Sequence, residues 1–246
     1  MPLNIQQRGN TSINIDFHSH ILPGADHGSD GLETSLDMVR RAQEAGIGIV
    51  VATPHFYPAR DSFARFEERR RRCVHRLTEA LCGTDAPQLL IGAEVHACEG
   101  LEHLEELEQL CVQGTRTLLL EMPFSAWTKR LYHTVDALRT ERGMDVVLAH
   151  IERYPVREME ELMEELELKA QVNAAVLCMM LKKRRILRLI EDGWVYALGS
   201  DAHGRGAHYT EYAKALRVLG AQREPLMART AELLQTAAQT GSVPTH

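Results

Sequence analysis

The stretch DFHSHILPGADHG, residues 16–28, gathers three histidines and two aspartates within thirteen residues. An apolar, β-rich run, INIDFH (13–18), leads into it, so the stretch reads as the end of a strand and the loop that follows. Residues two apart on a strand point the same way, so HSH directs His18 and His20 toward one point and turns Ser19 away. A lone pair of this kind is weak evidence. It becomes strong if other strand ends carry matching residues.

Working outward, short apolar runs alternate with longer amphipathic ones. The runs after the first are GIVVATPH (48–55), QLLIGAEV (88–95), RTLLLEMP (116–123), DVVLAHIE (145–152), AQVNAAV (170–176) and VYALGSDA (195–202). Helices are predicted between them over 32–46, 61–81, 98–111, 127–142, 156–168 and 180–192, with two more over 208–239. The first shows the reasoning: Leu32, Leu36, Val39 and Ala42 recur at helical spacing and Gly46 ends the pattern. Seven βα repeats predict an α/β fold with a parallel sheet, of the size of a TIM-like barrel. No low-complexity linker divides the chain, so residues 13–246 read as one domain after a loose N-terminal arm, 1–12.

The matching residues do occur, and at one end of the strands. His18 and His20 end the first strand, and His27 follows in its loop; His55 ends the second. Glu94 ends the third, Glu121 the fourth and His150 the fifth, while Asp201 and His203 end the seventh. In an α/β barrel these ends meet on the face where active sites form. Mixed imidazole and carboxylate donors suit Zn, Fe or Mn and carry too much nitrogen for a Mg site. His75, His96, His103, His133 and His208 lie on or near predicted helices and read as ordinary histidines. Asn173 ends the sixth strand and is placed to line the pocket.

Composition narrows the function. A net charge of −6 disfavours a nucleic-acid binder with a generally basic surface. The opening MPLNIQQRGNTS has no apolar core of a signal peptide, and no run is long and apolar enough to span a membrane, so a cytoplasmic protein is expected. Five cysteines, an odd number without a CxxC pair, read as free thiols rather than a disulfide framework. One Cys-x5-Arg spacing occurs, CMMLKKR (178–184), but it leads into the helix predicted over 180–192 and does not read as the phosphate-binding loop of thiol phosphatases.

The motifs DFHSHILPG (16–24), ATPH (52–55), GAEV (92–95), LLLEMPF (118–124), AHIERY (149–154) and GSDAH (199–203) occur in an order that resembles the polymerase-and-histidinol-phosphatase (PHP) metallohydrolases. Within that superfamily the chain is similar to the metal-dependent bacterial protein-tyrosine phosphatases encoded with capsule and exopolysaccharide genes, the CpsB/CapC/YwqE type. HILPG together with AHIERY carries that narrower likeness, which spans roughly residues 13 to 240. The resemblance implies a PHP fold, a distorted (β/α)7 barrel, forming a PHP-type phosphoesterase domain.

It also implies ligands for two to three divalent ions, with Mn2+ favoured over Fe or Zn. His18, His20, Glu94 and Asp201 would hold one ion. Glu94, Glu121 and His150 would hold a second, and His27, His55 and His203 a third. The tyrosine phosphatases usually carry Asp where this chain has His27; Asp26 precedes it and competes for the role, with His27 preferred. The chain also reads GRGAHY (204–209) where many relatives are proline-rich. Three divalent ions bring about +6 against about −3 from the carboxylates, which leaves room for hydroxide and a phosphomonoester dianion.

Arg153 and Arg205 follow His150 and His203 by three and two residues, and guanidinium forks match phosphate oxygens, so both are candidate catalytic residues. Glu152 reads as a partner of a ligand rather than a ligand. The run Arg69–Arg72 splays around a helix and reads as a solvated face paired with Glu67 and Glu68. The resemblance implies a phosphomonoester hydrolase acting on protein phosphotyrosine, with the tail of a bacterial tyrosine kinase controlling capsular or exopolysaccharide synthesis as the substrate. The alternative is a PHP phosphatase of a small metabolite such as histidinol phosphate. An amidohydrolase is disfavoured by Glu121 at a position where that family commonly has Lys. A regulatory PHP domain is disfavoured by the retained ligands.

Overall fold

Seven parallel staves carry the architecture, two of them broken in the middle. The computed structural model describes residues 13–235; the expected N-terminal arm lies outside the described residues. In chain order the strands are β1 (Asn14–Ser19), β2 (Ile47–Ala52), β3 (His55–Phe56), β4 (Gln88–Ile91), β5 (Glu94–His96), β6 (Thr117–Glu121), β7 (Asp145–Leu148), β8 (Lys169–Asn173) and β9 (Val195–Gly199). The helices are α1 (Leu32–Glu44), α2 (Phe63–Ala80), α3 (Lys129–Thr140), α4 (Val156–Glu165), α5 (Met180–Glu191), α6 (His208–Leu219) and α7 (Arg223–Leu233).

The strands pair in parallel as β1-β2-β4 and as β3-β5-β6-β7-β8-β9. β2 with β3, and β4 with β5, each form one stave interrupted at Thr53–Pro54 and Gly92–Ala93. The breaks stay hydrogen-bonded: Thr53 N donates to Ser19 O at 2.9 Å, Gly92 N to Ala52 O at 2.9 Å and Glu94 N to Pro54 O at 3.1 Å. β9 meets β1 at the top, where Asp201 N donates to His18 O at 2.8 Å and His20 N to Ala202 O at 3.2 Å. The result is the distorted seven-stave α/β barrel expected of the sequence. The two breaks are the distortion.

The strands read as near-continuous apolar runs because helices cover their outer side. Ile15, Phe17, Val50, Leu118, Val147 and Leu198 are all buried. Ser62 caps α2 by accepting from Arg65 N, and Thr128 caps α3 by accepting from Leu131 N. One predicted helix is absent. Residues 98–111 form two 3-10 turns, Leu101–His103 and Leu107–Leu110. Leu101, Leu104, Leu107 and Leu110 recur every three residues, a spacing that suits three residues per turn better than 3.6.

Arg69–Arg72 splay around the helix, but two of them are not a solvated face: Arg69 is half-buried, pairs with Asp61 and donates to the Ala25 carbonyl. Arg70 is buried, pairs with Glu67 and donates to the carbonyls of Gly92 and Gln109, so it pins α2 to the β4–β5 break.

Candidate metal centre

The barrel interior is polar at the C-terminal end of the staves. Asp16, His18 and His20 share the inward face of β1 and its extension, and all three are fully buried. On β8 the inward pair is Gln171 and Asn173. Gln171 Oε1 lies 3.2 Å from His18 Nδ1 and accepts from His150 N at 2.7 Å, while its Nε2 donates to Asn173 Oδ1 at 2.9 Å. Space for this comes from Gly199: a Cβ there would stand 2.5 Å from His18 Cβ and 2.6 Å from Gln171 Nε2. Gly28 plays the same part beside His20, whose Cβ would be 2.2 Å away.

Glu94 is the hub. Its Oε2 lies 3.2 Å from the Nε2 atoms of both His18 and His20 and 2.8 Å from His55 Nδ1. Its Oε1 is 2.8 Å from His150 Nε2, which also faces Glu121 Oε1 at 3.5 Å. Asp201 Oδ1 lies 3.3 Å from His20 Nε2 and 3.6 Å from His18 Nε2. Three compact donor groups result: His18, His20 and Asp201; His55, Glu94 and Glu121; and His20, His55 and His203.

Only some of the close approaches are hydrogen bonds, His150 Nε2 to Glu94 Oε1 among them. His55 Nδ1, Glu94 Oε2 and His203 Nε2 are buried and lack an aligned partner, although His55 and Glu94 stand within contact distance. Buried polar atoms normally find partners. Donor atoms that converge without pairing fit a set shaped around cations, and the mixed nitrogen and oxygen donors fit a transition-metal ion.

His18, His20, His55, Glu94, Glu121, His150, Asp201 and His203 come together. His27 stands at the mouth, its ring stacked on His55 with centroids 4.8 Å apart and 4.7 Å from that of His203. The neighbouring Asp26 has its oxygens occupied: Oδ2 lies 2.7 Å from His20 Nδ1 and accepts from His55 N at 2.9 Å, and Oδ1 accepts from Gly28 N. Arg153 donates to Asp201 Oδ2 and lines the cavity; Arg205 points outward to Glu33 at 2.9 Å, beside a separate surface depression. Glu152 is turned inward to the Asn173 amide, 3.3 Å away.

Asp201 and His203, expected to end the seventh strand, lie beyond it. β9 stops at Gly199, and Asp201 reaches the site through a left-handed backbone with φ of 49°. His150 shares that conformation at φ of 32°. Such residues are uncommon and cluster where function holds them.

Several residues were missed. His96 sits on β5, not near a helix, with Nδ1 3.1 Å from Glu121 Oε2. Tyr57 lies against His55 and His96, and His208 joins the cavity wall. For Gln171 the signal was present: QVN places two amides two apart inside an apolar strand.

Charge is strongly organised. Burial pushes Glu94 up, but His18, His150 and His20 outweigh it and hold the carboxyl well below its usual range. Asp201 is lowered in the same way against burial, by His18, His20 and Arg153. Burial and the nearby His20 hold His203 down at about 4, so it stays neutral and able to coordinate. The cavity above these groups has a volume of about 540 Å³ and is walled by His55, Glu121, Arg153, Asn173 and His203 among others. Asn173 lines it as expected and donates to Asp201 Oδ2 at 2.8 Å.

Comparisons with known proteins agree with this geometry. The tyrosine-protein phosphatase YwqE of Bacillus subtilis is 28% identical over 236 residues, covering 89% of this chain and 91% of that protein. CapC of Staphylococcus aureus is 23% identical over 204 residues, covering 77% and 76%. Among solved structures, that of the metal-dependent tyrosine phosphatases YwqE from Bacillus subtilis and CpsB from Streptococcus pneumoniae superposes with a TM-score of 0.72 at 26% identity, over 90% of this chain and 95% of that one. An organophosphorus hydrolase variant from Deinococcus radiodurans shares the fold, with a TM-score of 0.52 at 13% identity over 89% and 92% of the two chains. The family model for capsular polysaccharide synthesis, CpsB/CapC, matches residues 14–238, and the chain belongs to that family.

Proposed function

We propose that the protein is a metal-dependent phosphomonoester hydrolase that removes phosphate from tyrosine in proteins. The observation that carries this reading is the convergence of eight imidazole and carboxylate side chains, with Arg153 beside them, at and beneath the wall of one open cavity. The named functions of the YwqE and CpsB relatives support it. The proposed set is His18, His20, Glu94 and Asp201 for one ion, Glu94, Glu121 and His150 for a second, and His27, His55 and His203 for a third. Two to three ions would be held, Mn2+ foremost. When bound, the ions polarise the phosphoryl oxygens and lower the pKa of water toward ~7.

The chain's own groups supply the rest. Glu94 would serve two of the proposed ions. Asp26 and Gln171 fix the rings of His20 and His18 through their other nitrogens, which sets each tautomer. Arg153 is placed to trade one contact with Asp201 for a phosphoryl oxygen. Arg205 reaches phosphate only by leaving Glu33. No residue need form a covalent intermediate, because an in-line attack by water suffices.

The substrate would be the phosphorylated tail of a bacterial tyrosine kinase that controls capsular or exopolysaccharide synthesis. A cytoplasmic location fits five free cysteines and the lack, among the described residues, of any helix long and apolar enough to cross a membrane. The test is the rate with added Mn2+ on a phosphotyrosine peptide, a phosphoserine peptide and histidinol phosphate. The phosphotyrosine peptide should be turned over fastest. Preference for histidinol phosphate would replace this reading with a metabolic one.

A further inference from the structure

A second depression lies beside the metal cavity, of about 560 Å³, and Arg153 lines both. Among the described residues seven large apolar side chains are markedly exposed, and five of them occur at three segments that meet here: Phe124 after β6, Val156 at the start of α4, and Met179, Met180 and Leu181 at the start of α5. Leu181 is 97% exposed and Met180 87%. All three segments follow the C-terminal ends of staves, on the face that carries the candidate site. The Phe124 ring lines this depression and lies nearly parallel to His150 with centroids 6.5 Å apart. Apolar side chains gathered on an otherwise charged surface mark a contact site.

From this we infer that the groove is a subsite for the polypeptide flanking the phosphotyrosine, taking an apolar side chain on Phe124, Val156 and Leu181. The inference rests on the phosphatase reading and deepens it. Continuity with the cavity argues for a substrate segment, because a chain whose phosphate sits beside Arg153 must leave across one rim, and this rim is the apolar one. Charge argues the same way. Lys182 and Arg185 border the groove; Arg185 is paired with Glu160, Lys182 Nζ donates to the Glu152 backbone carbonyl, and the Glu152 carboxylate is turned inward to the Asn173 amide. The Lys182 ammonium suits an acidic neighbour on the peptide. It disfavours a second copy of this chain, since a twofold contact centred on the groove would set Lys182 against its own equivalent.

The experiment uses the Mn2+-loaded enzyme and phosphotyrosine peptides in which one leucine is moved through a Gly/Ser background. The leucine is placed up to about three residues to either side, the span an extended chain of roughly 3.3 Å per residue needs to enter the groove. At the best position, kcat/KM should exceed that of the Ser peptide by about tenfold, the effect of burying part of a leucine side chain. Leu181→Ser should erase that preference while leaving hydrolysis of free phosphotyrosine unchanged, and a thermal melt checks its folding.

Equal kcat/KM for every peptide with the wild-type enzyme overturns the subsite, whatever the variant does. A wild-type dimer in sedimentation that Leu181→Ser dissociates, with peptide preference intact, assigns the groove to a second copy and overturns it too. Inert peptides together with inert free phosphotyrosine would instead bring down the phosphatase reading and the subsite with it.

Discussion

The two walls of the barrel mouth are made of opposite materials. On one, the end of β1, the start of β5 and the turn after β9 present His18, His20, Glu94 and Asp201, all buried. Asp26 and Gln171 hold the second ring nitrogens of the two histidines. On the other, the segments after β6, β7 and β8 present Phe124, Val156 and Leu181 to solvent. Burying several carboxylates costs free energy that partial pairing does not return, so such a cluster persists where cations complete it. Exposed apolar groups carry no such demand for fixed geometry. The contrast separates a wall whose shape is dictated by bond angles at an ion from one that is free to vary with the substrate.

The largest expected effect breaks the first wall outright. Chelation by EDTA should reduce activity to background, and Mn2+ should restore it. Iodoacetamide should leave activity largely intact, because no cysteine lines the cavity. Burial pushes the Cys111 thiol up to about 12, and raises Cys73 and Cys98 as well. Turnover that resists EDTA but not alkylation would restore a thiol mechanism and remove the ions from the reaction.

Next come the arginines: Arg153 sits at the seam between the walls, and Arg205 turns away to Glu33. Arg153→Ala should lower kcat by about 100- to 1000-fold, the usual cost of losing one charge-assisted donor to a developing anion. Arg153→Lys should recover little, since lysine lacks the planar fork. Metal content should hold, because Asp201 keeps its bond from Asn173. Arg205→Ala should stay within about twofold of wild type, as befits an exposed ion pair. Equal losses in the two variants would mean that Arg205 abandons Glu33 when substrate binds.

A smaller effect measures how far the first wall depends on its outer supports. Asp26→Asn should weaken metal binding or activity by about 10- to 100-fold. The amide cannot match the carboxylate's pull on His20 Nδ1 while still accepting from His55 N. Metal content by elemental analysis, set beside kcat, separates loss of ion from loss of orientation. Unchanged values for both would show that the His20 ring is positioned by its ions alone.

The sequence made the first wall legible and left the second invisible, for physical reasons. Ligand chemistry combined with the period-two alternation of a strand marks residues such as His18 and His20 one by one. Seven strand ends on one face then bring the rest together. The breaks at Thr53–Pro54 and Gly92–Ala93 escaped notice because each stave continues in the same direction after its kink. The 98–111 segment misled because leucines three apart fit either helix type approximately. Spacing from His203 placed Arg205 near the site but carried no information on which way its side chain turns. Phe124, Val156 and Leu181 are unremarkable singly, and only the fold makes them neighbours.

The smallest expected effect concerns the first wall without its ions. In the metal-free protein burial lowers the His150 pKa, but Glu121 and Glu94 outweigh it and lift His150 to about 9 from 6.5. Burial raises Glu121, but His150 and His96 outweigh it and bring it to about 2 from 4.5. His150 faces Glu94 on β5, Glu121 on β6, the His18 ring on β1 and Arg153 in its own turn. A group whose pKa rises on folding stabilises fully below its unfolded value and stops doing so as pH climbs through the folded one. His150 therefore supports the metal-free fold below 6.5 and ceases to do so through about 9. Glu121 has the opposite sign, supporting the fold above 4.5 and ceasing to do so as pH falls through about 2. Between about pH 6.5 and about pH 9, then, the melting temperature of the EDTA-treated protein should fall. The Mn2+-loaded protein should show little of that fall, because coordination requires a neutral imidazole and takes over from the proton. Parallel alkaline profiles for the two forms would mean that His150 is not exchanging a proton for an ion, and would remove it from the proposed ligand set.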